Sequence, residues 1–74
     1  MITEQMHHIW AEVLGLDDFS DDDDFFVLGG HSLLMVRMQA LIKQHLGVEV
    51  PMDELFERPT VAGVCAYLES GASL

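Results

Sequence analysis

Apolar residues recur along this chain in stripes with helical spacing, and the segments between the stripes break that spacing. Met6, Ile9, Trp10, Val13 and Leu14 fall at i, i+3, i+4, i+7 and i+8, one side of a helix over Thr3 to Leu14. Thr3 suits its N-cap, and Gly15 suits the left-handed residue that closes it, with Leu16 folding back on the last turn. A second helix is expected from Ser32 to about Leu46, ended by Gly47. With Met38 at the centre of its buried face, Leu34, Met35, Leu41 and Ile42 lie within about 60° at 100° per residue. Leu33, Val36 and Ala40 fall on the far side, more than about 130° away by the same geometry. Pro51 and Pro59 bracket a segment that suits one or two helical turns. The last helix begins after Pro59 with Thr60 as its cap and Val61, Val64, Cys65 and Leu68 as its stripe. Gly63 inside it costs up to ~1 kcal/mol against alanine, which implies close packing there.

Leu16 to His31 form a long connection. Asp21 to Asp24 disfavour a regular element, while Phe19, Phe25, Phe26 and Leu28 are expected to pin the loop to the core. Such a loop is packed and functional, unlike a structureless one of that length. The pattern predicts an all-α fold, a small antiparallel bundle of three main helices plus one short helix, as a single domain over residues 1–74.

Composition narrows the classes. At 74 residues the chain is near the size at which one core becomes marginal. Cys65 is the lone cysteine, so no disulfide helps, and the usage fits a reducing compartment. No apolar run approaches the ~20 residues of a membrane span, and the start lacks a basic signal. A soluble, monomeric, cytoplasmic protein is the expectation. Thirteen acids against three bases give a formal net charge of −10. That balance argues against nucleic acid and membrane as partners and for basic patches on other proteins. Half of the residues are apolar, so the charge does not signal disorder.

The candidate chemistry centres on Ser32, which follows Gly29, Gly30 and His31 and opens the long helix. One reading makes Ser32 an N-cap and nothing more. Another makes it an attachment point: the two glycines strip side chains from its approach, and a helix N-terminus favours a covalently held phosphate diester. A catalytic nucleophile would need a base held by a third group. His31 points about 100° away from Ser32 on a helix start, and His7, His8 and His45 are distant in sequence. Leu33 and Val36, off the core face and beside Ser32, read as a small apolar docking patch within an acidic rim.

Other residues read as structure. Asp21 to Asp24 lack the ligand spacing, glycine and terminal Glu of an EF-hand and read as a solvated, charge-steering loop. His7 and His8 are helix neighbours and cannot face one metal together. His45 falls near the core face and reads as partly buried; Trp10 anchors the first helix; Cys65 and the five methionines read as packing. No metal site and no catalytic residue is expected.

Asp24-Phe25-Phe26-Val27-Leu28-Gly29-Gly30-His31-Ser32-Leu33 resembles the attachment motif of peptidyl carrier (thiolation) domains of nonribosomal peptide synthetases. Ile9 to Gly15 resembles the first helix of that family, and Leu55 to Val61 its short third helix and the start of its last one. The likeness covers essentially the whole chain. It implies an acyl-carrier-protein-like fold of four helices. It also implies 4′-phosphopantetheine from coenzyme A attached to Ser32 Oγ, within a flanking motif of Gly29, Gly30 and His31. The arm would carry an amino acid or peptide as a thioester, with Leu33, Val36, Arg37 and Ala40 as docking residues. The implied partners are a phosphopantetheinyl transferase, an adenylation enzyme or domain, and condensation, thioesterase or tailoring enzymes. Val27 stands where relatives often carry a polar residue, and Gly63 replaces an expected helix former. His31 resembles carriers that do not feed an epimerisation domain. Gly-Gly-His-Ser resembles the peptidyl branch more than the Asp-Ser-Leu of fatty-acid and polyketide carriers. An acyl carrier of that second type, and an unmodified acidic interaction module with Ser32 as a cap, are the alternatives. The ends of the chain suit a free-standing carrier and a domain of a larger synthetase almost equally.

Overall fold

Helix α1 (Ile2–Leu14) buries Met6, Ile9, Trp10 and Val13, four of the five residues of the first stripe, while Leu14 is half-buried. The computed structural model describes residues 2–70, and the helices among them follow the sequence pattern: α1, α2 (Ser32–Leu46), α3 (Met52–Glu57) and α4 (Val61–Glu69). Helix α1 packs against α2 and α4, and α3 packs on α2. The described fold is all-helical, three main helices and one short one.

Each boundary has a local cause. Gly15 (φ +70) takes the left-handed turn after α1, and its N–H reaches Ala11 O at 2.8 Å. Gly47 does the same for α2, its N–H donating to Lys43 O at 2.9 Å. The Thr60 hydroxyl accepts from Gly63 N at 2.9 Å and so caps α4 as expected. That contact also explains Gly63, since a Cβ there would lie 2.9 Å from Thr60 Oγ1 and 3.2 Å from Arg58 Cβ. Thr3 is not a cap: α1 already includes Ile2, which places Thr3 within the first turn. Leu16 does not fold back into the core; only its N–H returns to Ala11 O, and the side chain is exposed.

The core holds Met35, Met38 and Ile42 of α2, Leu55 of α3, and Val61, Val64 and Cys65 of α4, all anticipated except Leu55. Val50 and Tyr67 are buried as well, outside any stripe the sequence displayed. Val50 lies in the connection after α2, where its carbonyl accepts from Gln39 Nε2 at 2.8 Å. Tyr67 is covered by the Arg58 guanidinium, 5.5 Å from its ring centre, while Arg58 Nε holds Glu54 Oε1 at 2.8 Å. His45 departs from expectation and is exposed. It stands in the last turn of α2, where it lines a surface groove with Glu4, Gln5, His8 and Ile9.

Candidate functional site

The loop ahead of α2 is built from the side chains thought merely to solvate it. Asp24 Oδ1 accepts from Phe26 N at 2.7 Å and Val27 N at 3.3 Å, capping a single turn over residues 25–29. Leu28 N then returns to Asp24 O at 3.0 Å, and Gly30 N to Phe25 O at 2.9 Å. Asp23 accepts from Ser20 N at 2.9 Å, and Asp21 meets His7 Nδ1 at 2.8 Å. His7 stacks on Phe19 with 4.2 Å between ring centres. The acidic run is therefore largely spent on turn chemistry.

Backbone bonds tie this loop to the far side of the bundle. Phe25 N donates to Pro59 O at 2.7 Å, and Ala62 N to Asp21 O at 3.0 Å. Phe25 itself is fully buried and meets the Trp10 ring edge-on at 5.8 Å. Phe19 and Leu28 lie half-buried against the core, as anticipated, but Phe26 does not enter it. Adjacent residues of one helical turn point about 100° apart, so burying Phe25 turns Phe26 outward. There Phe26 stacks on Phe56 of α3, also exposed, at 5.9 Å and 8° between planes. The loop thus spans the bundle and ends at a fixed point. That point is Ser32.

The two glycines have different jobs. Gly29 has φ +107, a conformation side chains avoid, and a Cβ there would meet nothing within 4 Å. Its backbone angle, not a close neighbour, calls for glycine. Gly30 instead lies against the Phe25 ring, where a Cβ would overlap the ring atoms. Its lack of a side chain serves packing, not access.

Ser32 is the first helical residue of α2, and its N-cap is His31 (φ −149, ψ 177), which makes no side-chain capping bond. The Ser32 hydroxyl has no hydrogen-bond partner among the described residues and is exposed. The cap reading of Ser32 therefore fails: the hydroxyl sits one position too late and bonds nothing. The first main-chain bond at this end is Met35 N to His31 O at 2.9 Å. The N–H groups of Ser32, Leu33 and Leu34 are left without helical acceptors, the positive end of a helix of 15 residues. A phosphodiester on Ser32 Oγ fits this end by charge and by space.

Among the described residues no histidine or carboxylate hydrogen-bonds the Ser32 hydroxyl, and the adjacent His31 is exposed at the cap position. His7 is engaged by Asp21, and His8 and His45 line a groove with α1 residues. No cluster of three or more potential metal ligands exists among the described residues. Around the serine, Leu33 is 75% and Val36 53% exposed, and Val27 is exposed beside the same turn. Arg37 and Ala40 are exposed too, so all four expected docking residues reach the surface. Sequence reasoning missed the exposed Phe26–Phe56 stack. Its only signal was that two adjacent aromatics cannot both enter one core.

Residues 4–68 match the family model described as "Phosphopantetheine attachment site". The chain is 49% identical over 70 residues to surfactin synthase subunit 3 of Bacillus subtilis (strain 168), 95% of this chain and 6% of that protein. It is 48% identical over 65 residues to the dimodular nonribosomal peptide synthase of the same strain, 88% of this chain and 3% of that protein. The chain thus spans a small fraction of these relatives. Among solved structures, it resembles a chain in the structure of the phosphopantetheine transferase Sfp in complex with coenzyme A and a peptidyl carrier protein. There the TM-score is 0.88 at 30% identity, covering 95% of this chain and 91% of that one. It also resembles the McyG A-PCP structure complexed with phenylalanyl-adenylate, with a TM-score of 0.84 and 34% identity over 90% of this chain and 10% of that one. Helix order, the open serine at the start of α2 and these matches agree: the chain belongs to the phosphopantetheine-attachment family of carrier domains.

Proposed function

We propose that residues 1–74 form one peptidyl carrier (thiolation) domain of nonribosomal peptide synthesis, modified on Ser32. The observation that carries this reading is the Ser32 hydroxyl, exposed and unbonded at the first position of α2 while His31 holds the cap position. On modification, Ser32 Oγ forms the new bond to phosphorus and loses its proton to the transferase. The pyrophosphate bond of coenzyme A breaks, and adenosine 3′,5′-bisphosphate leaves. The bound group supplies a terminal thiol able to hold an aminoacyl or peptidyl unit as a thioester. The protein's own residues give address and orientation. Helix α2 presents the root, Gly29 takes the backbone angle of the turn before it, and the loop tethers hold that root fixed relative to the surface of α2 and α3.

The chain performs no catalysis in this reading. Among the described residues no histidine or carboxylate hydrogen-bonds Ser32, and the reactions belong to partners: a phosphopantetheinyl transferase, an adenylation enzyme, and condensation, thioesterase or tailoring enzymes. Solved neighbours named for a transferase with coenzyme A and for an A-PCP unit with an aminoacyl-adenylate support the first two. No helix among the described residues is long and apolar enough to cross a membrane, in keeping with a cytoplasmic carrier.

The test is intact-protein mass spectrometry after incubation with coenzyme A, magnesium and a broad-specificity phosphopantetheinyl transferase. The wild type gains one phosphopantetheine and Ser32→Ala gains none. Because Ser32 bonds nothing, Ser32→Ala leaves stability within about 0.5 kcal/mol of wild type. A well-folded wild type that gains no mass refutes the reading. Challenge of the modified form with aminoacyl- and malonyl-loading enzymes then separates a peptidyl carrier from a polyketide or fatty-acid one.

A further inference from the structure

The exposed aromatic pair belongs to neither the core nor α2. Phe26 comes from the turn that leads to Ser32 and Phe56 from α3, and their rings lie 5.9 Å apart with 8° between planes. Both are open to solvent, and Val27, next to Phe26, is exposed as well. Single exposed apolar residues are ordinary on a protein surface. Two rings from separate segments, stacked on each other and open, make a preset platform of the size of one side chain.

The rim of this platform is acidic. Asp53, Phe56 and Glu57 fall at i, i+3 and i+4, one face of α3. Asp53 and Glu57 are exposed, and neither makes a hydrogen bond or salt bridge among the described residues. Arg58, the cation next in sequence, is held by Glu54 at 2.8 Å. Such a surface suits a ligand that is apolar at one end and cationic at the other, and an aminoacyl unit has both ends. It also lies within reach of the serine. Gly29 N returns to Phe26 O at 3.2 Å, and Ser32 follows three residues after Gly29, at most about 11 Å of extended chain. A phosphopantetheine arm has as many chain atoms as about five residues and spans roughly 17 Å when extended.

We propose that the Phe26–Phe56 stack, with Asp53 and Glu57, is a resting site for the aminoacyl group on the loaded arm, selective for an aromatic or apolar side chain beside a free α-ammonium. This rests on the carrier reading of Ser32. The occupant is the tethered cargo because a short tether presents it at millimolar effective concentration, enough to fill a weak site for one side chain. Two half-exposed rings offer far less than the ~1,000 Å² that a specific protein interface needs. The cargo side chain packs on the rings, and the ammonium is drawn to the carboxylates and to the ring faces. A unit acylated at that nitrogen is neutral there and loses the charge contact. The site therefore holds aminoacyl cargo in preference to peptidyl cargo.

The experiment uses coenzyme A analogues whose terminal thiol is replaced by an amine acylated with phenylalanine, N-acetylphenylalanine or alanine. A broad-specificity phosphopantetheinyl transferase places each arm on the chain, the amide link resists hydrolysis, and intact mass confirms loading. NMR with isotope-labelled phenylalanine in the protein then reads nuclear Overhauser contacts from the arm to the Phe26 and Phe56 rings. It also reads the ring shifts each arm causes relative to the chain bearing plain phosphopantetheine. The phenylalanyl arm is expected to contact both rings and to shift them about threefold more than the alanyl arm. N-acetylation, or the double variant Asp53→Asn/Glu57→Gln, cuts those shifts to about half. Phe56→Ala removes the contacts to Phe26, with circular dichroism confirming that each variant is folded. Equal shifts from the phenylalanyl and alanyl arms, or contacts to Phe26 that survive Phe56→Ala, overturn the site. Shifts that neither N-acetylation nor the double variant changes overturn the ammonium contact. An arm that touches neither ring also overturns the proposal and leaves the stack to a protein partner. A wild type that takes no arm at all is a different failure: it overturns the carrier reading, and this inference with it.

Discussion

Gly30→Ala is the substitution whose effect this structure defines most sharply. Gly30 lies outside the left-handed region, so alanine there is free of backbone strain. The obstacle is the Phe25 ring. A Cβ on residue 30 would overlap the near ring atoms, and even Phe25 Cζ would stand only 2.7 Å away. The ring has no room to retreat, because it is fully buried, with Trp10 edge-on at 5.8 Å and Phe26 at 5.5 Å. Overpacking of this kind costs about 1–3 kcal/mol. In a domain of this size that lowers the melting temperature by about 4–8 °C per kcal/mol. The movement that relieves the overlap also displaces the 25–29 turn, so the transferase reaction on Ser32 slows alongside. The assay is urea unfolding of Gly30→Ala in two backgrounds, wild type and Phe25→Leu. The smaller side chain leaves space where the ring stood, so the cost of Gly30→Ala falls by about 1 kcal/mol or more between backgrounds. An unchanged midpoint for Gly30→Ala, or the same loss in both backgrounds, would refute the role given to the ring.

Leu33→Asp and Val36→Asp should leave helicity and the urea midpoint unchanged, since both side chains are exposed, and should still impair modification of Ser32; unfolding of either variant contradicts the assigned face. Thr60→Ala should cost about 1 kcal/mol in chemical denaturation through loss of the bond to Gly63 N, with most of it retained in Thr60→Ser. Burial pushes the Cys65 thiol up from its ordinary range, so thiol reagents at neutral pH should label it only as fast as the chain opens. By linkage the thiol contributes stability below the pKa of the unfolded cysteine. That contribution is lost as pH rises through the folded value, since the unfolded thiol ionises first. Alkaline melts should therefore fall, and rapid labelling of the native chain would contradict the burial.

Most of the architecture was legible because helical periodicity is local information. Met6 to Val13, Met35 to Ile42 and Val61 to Cys65 repeat at the spacing of a buried helix face, and that repetition survives into the fold. Turn residues behaved as local chemistry demands: Gly15, Gly47 and Thr60 end or begin the helices they flank. Val50 and Tyr67 could not be read the same way. One lies in a connection with no period, and the other becomes buried partly through Arg58, which reaches it from outside its own helix.

The site divides along the same line. Sequence alone determined that a serine opens α2 after a Gly-Gly turn, that α2 carries apolar residues off its core face, and that four helices form. These follow from residue type and spacing within a dozen positions. Only the tertiary structure decided that His31 occupies the cap position and leaves the serine hydroxyl free, since capping depends on where the chain turns, within one residue. It alone separated Gly29, required by its backbone angle, from Gly30, held bare by a ring five residues away. It also sent Phe25 into the core and Phe26 out onto Phe56, and it recruited the acidic run to fasten the loop. Some of these outcomes turn on neighbouring residues, but Phe25 against Trp10, Phe26 against Phe56 and His7 against Asp21 join segments that meet only when the helices have packed, and no periodicity encodes them.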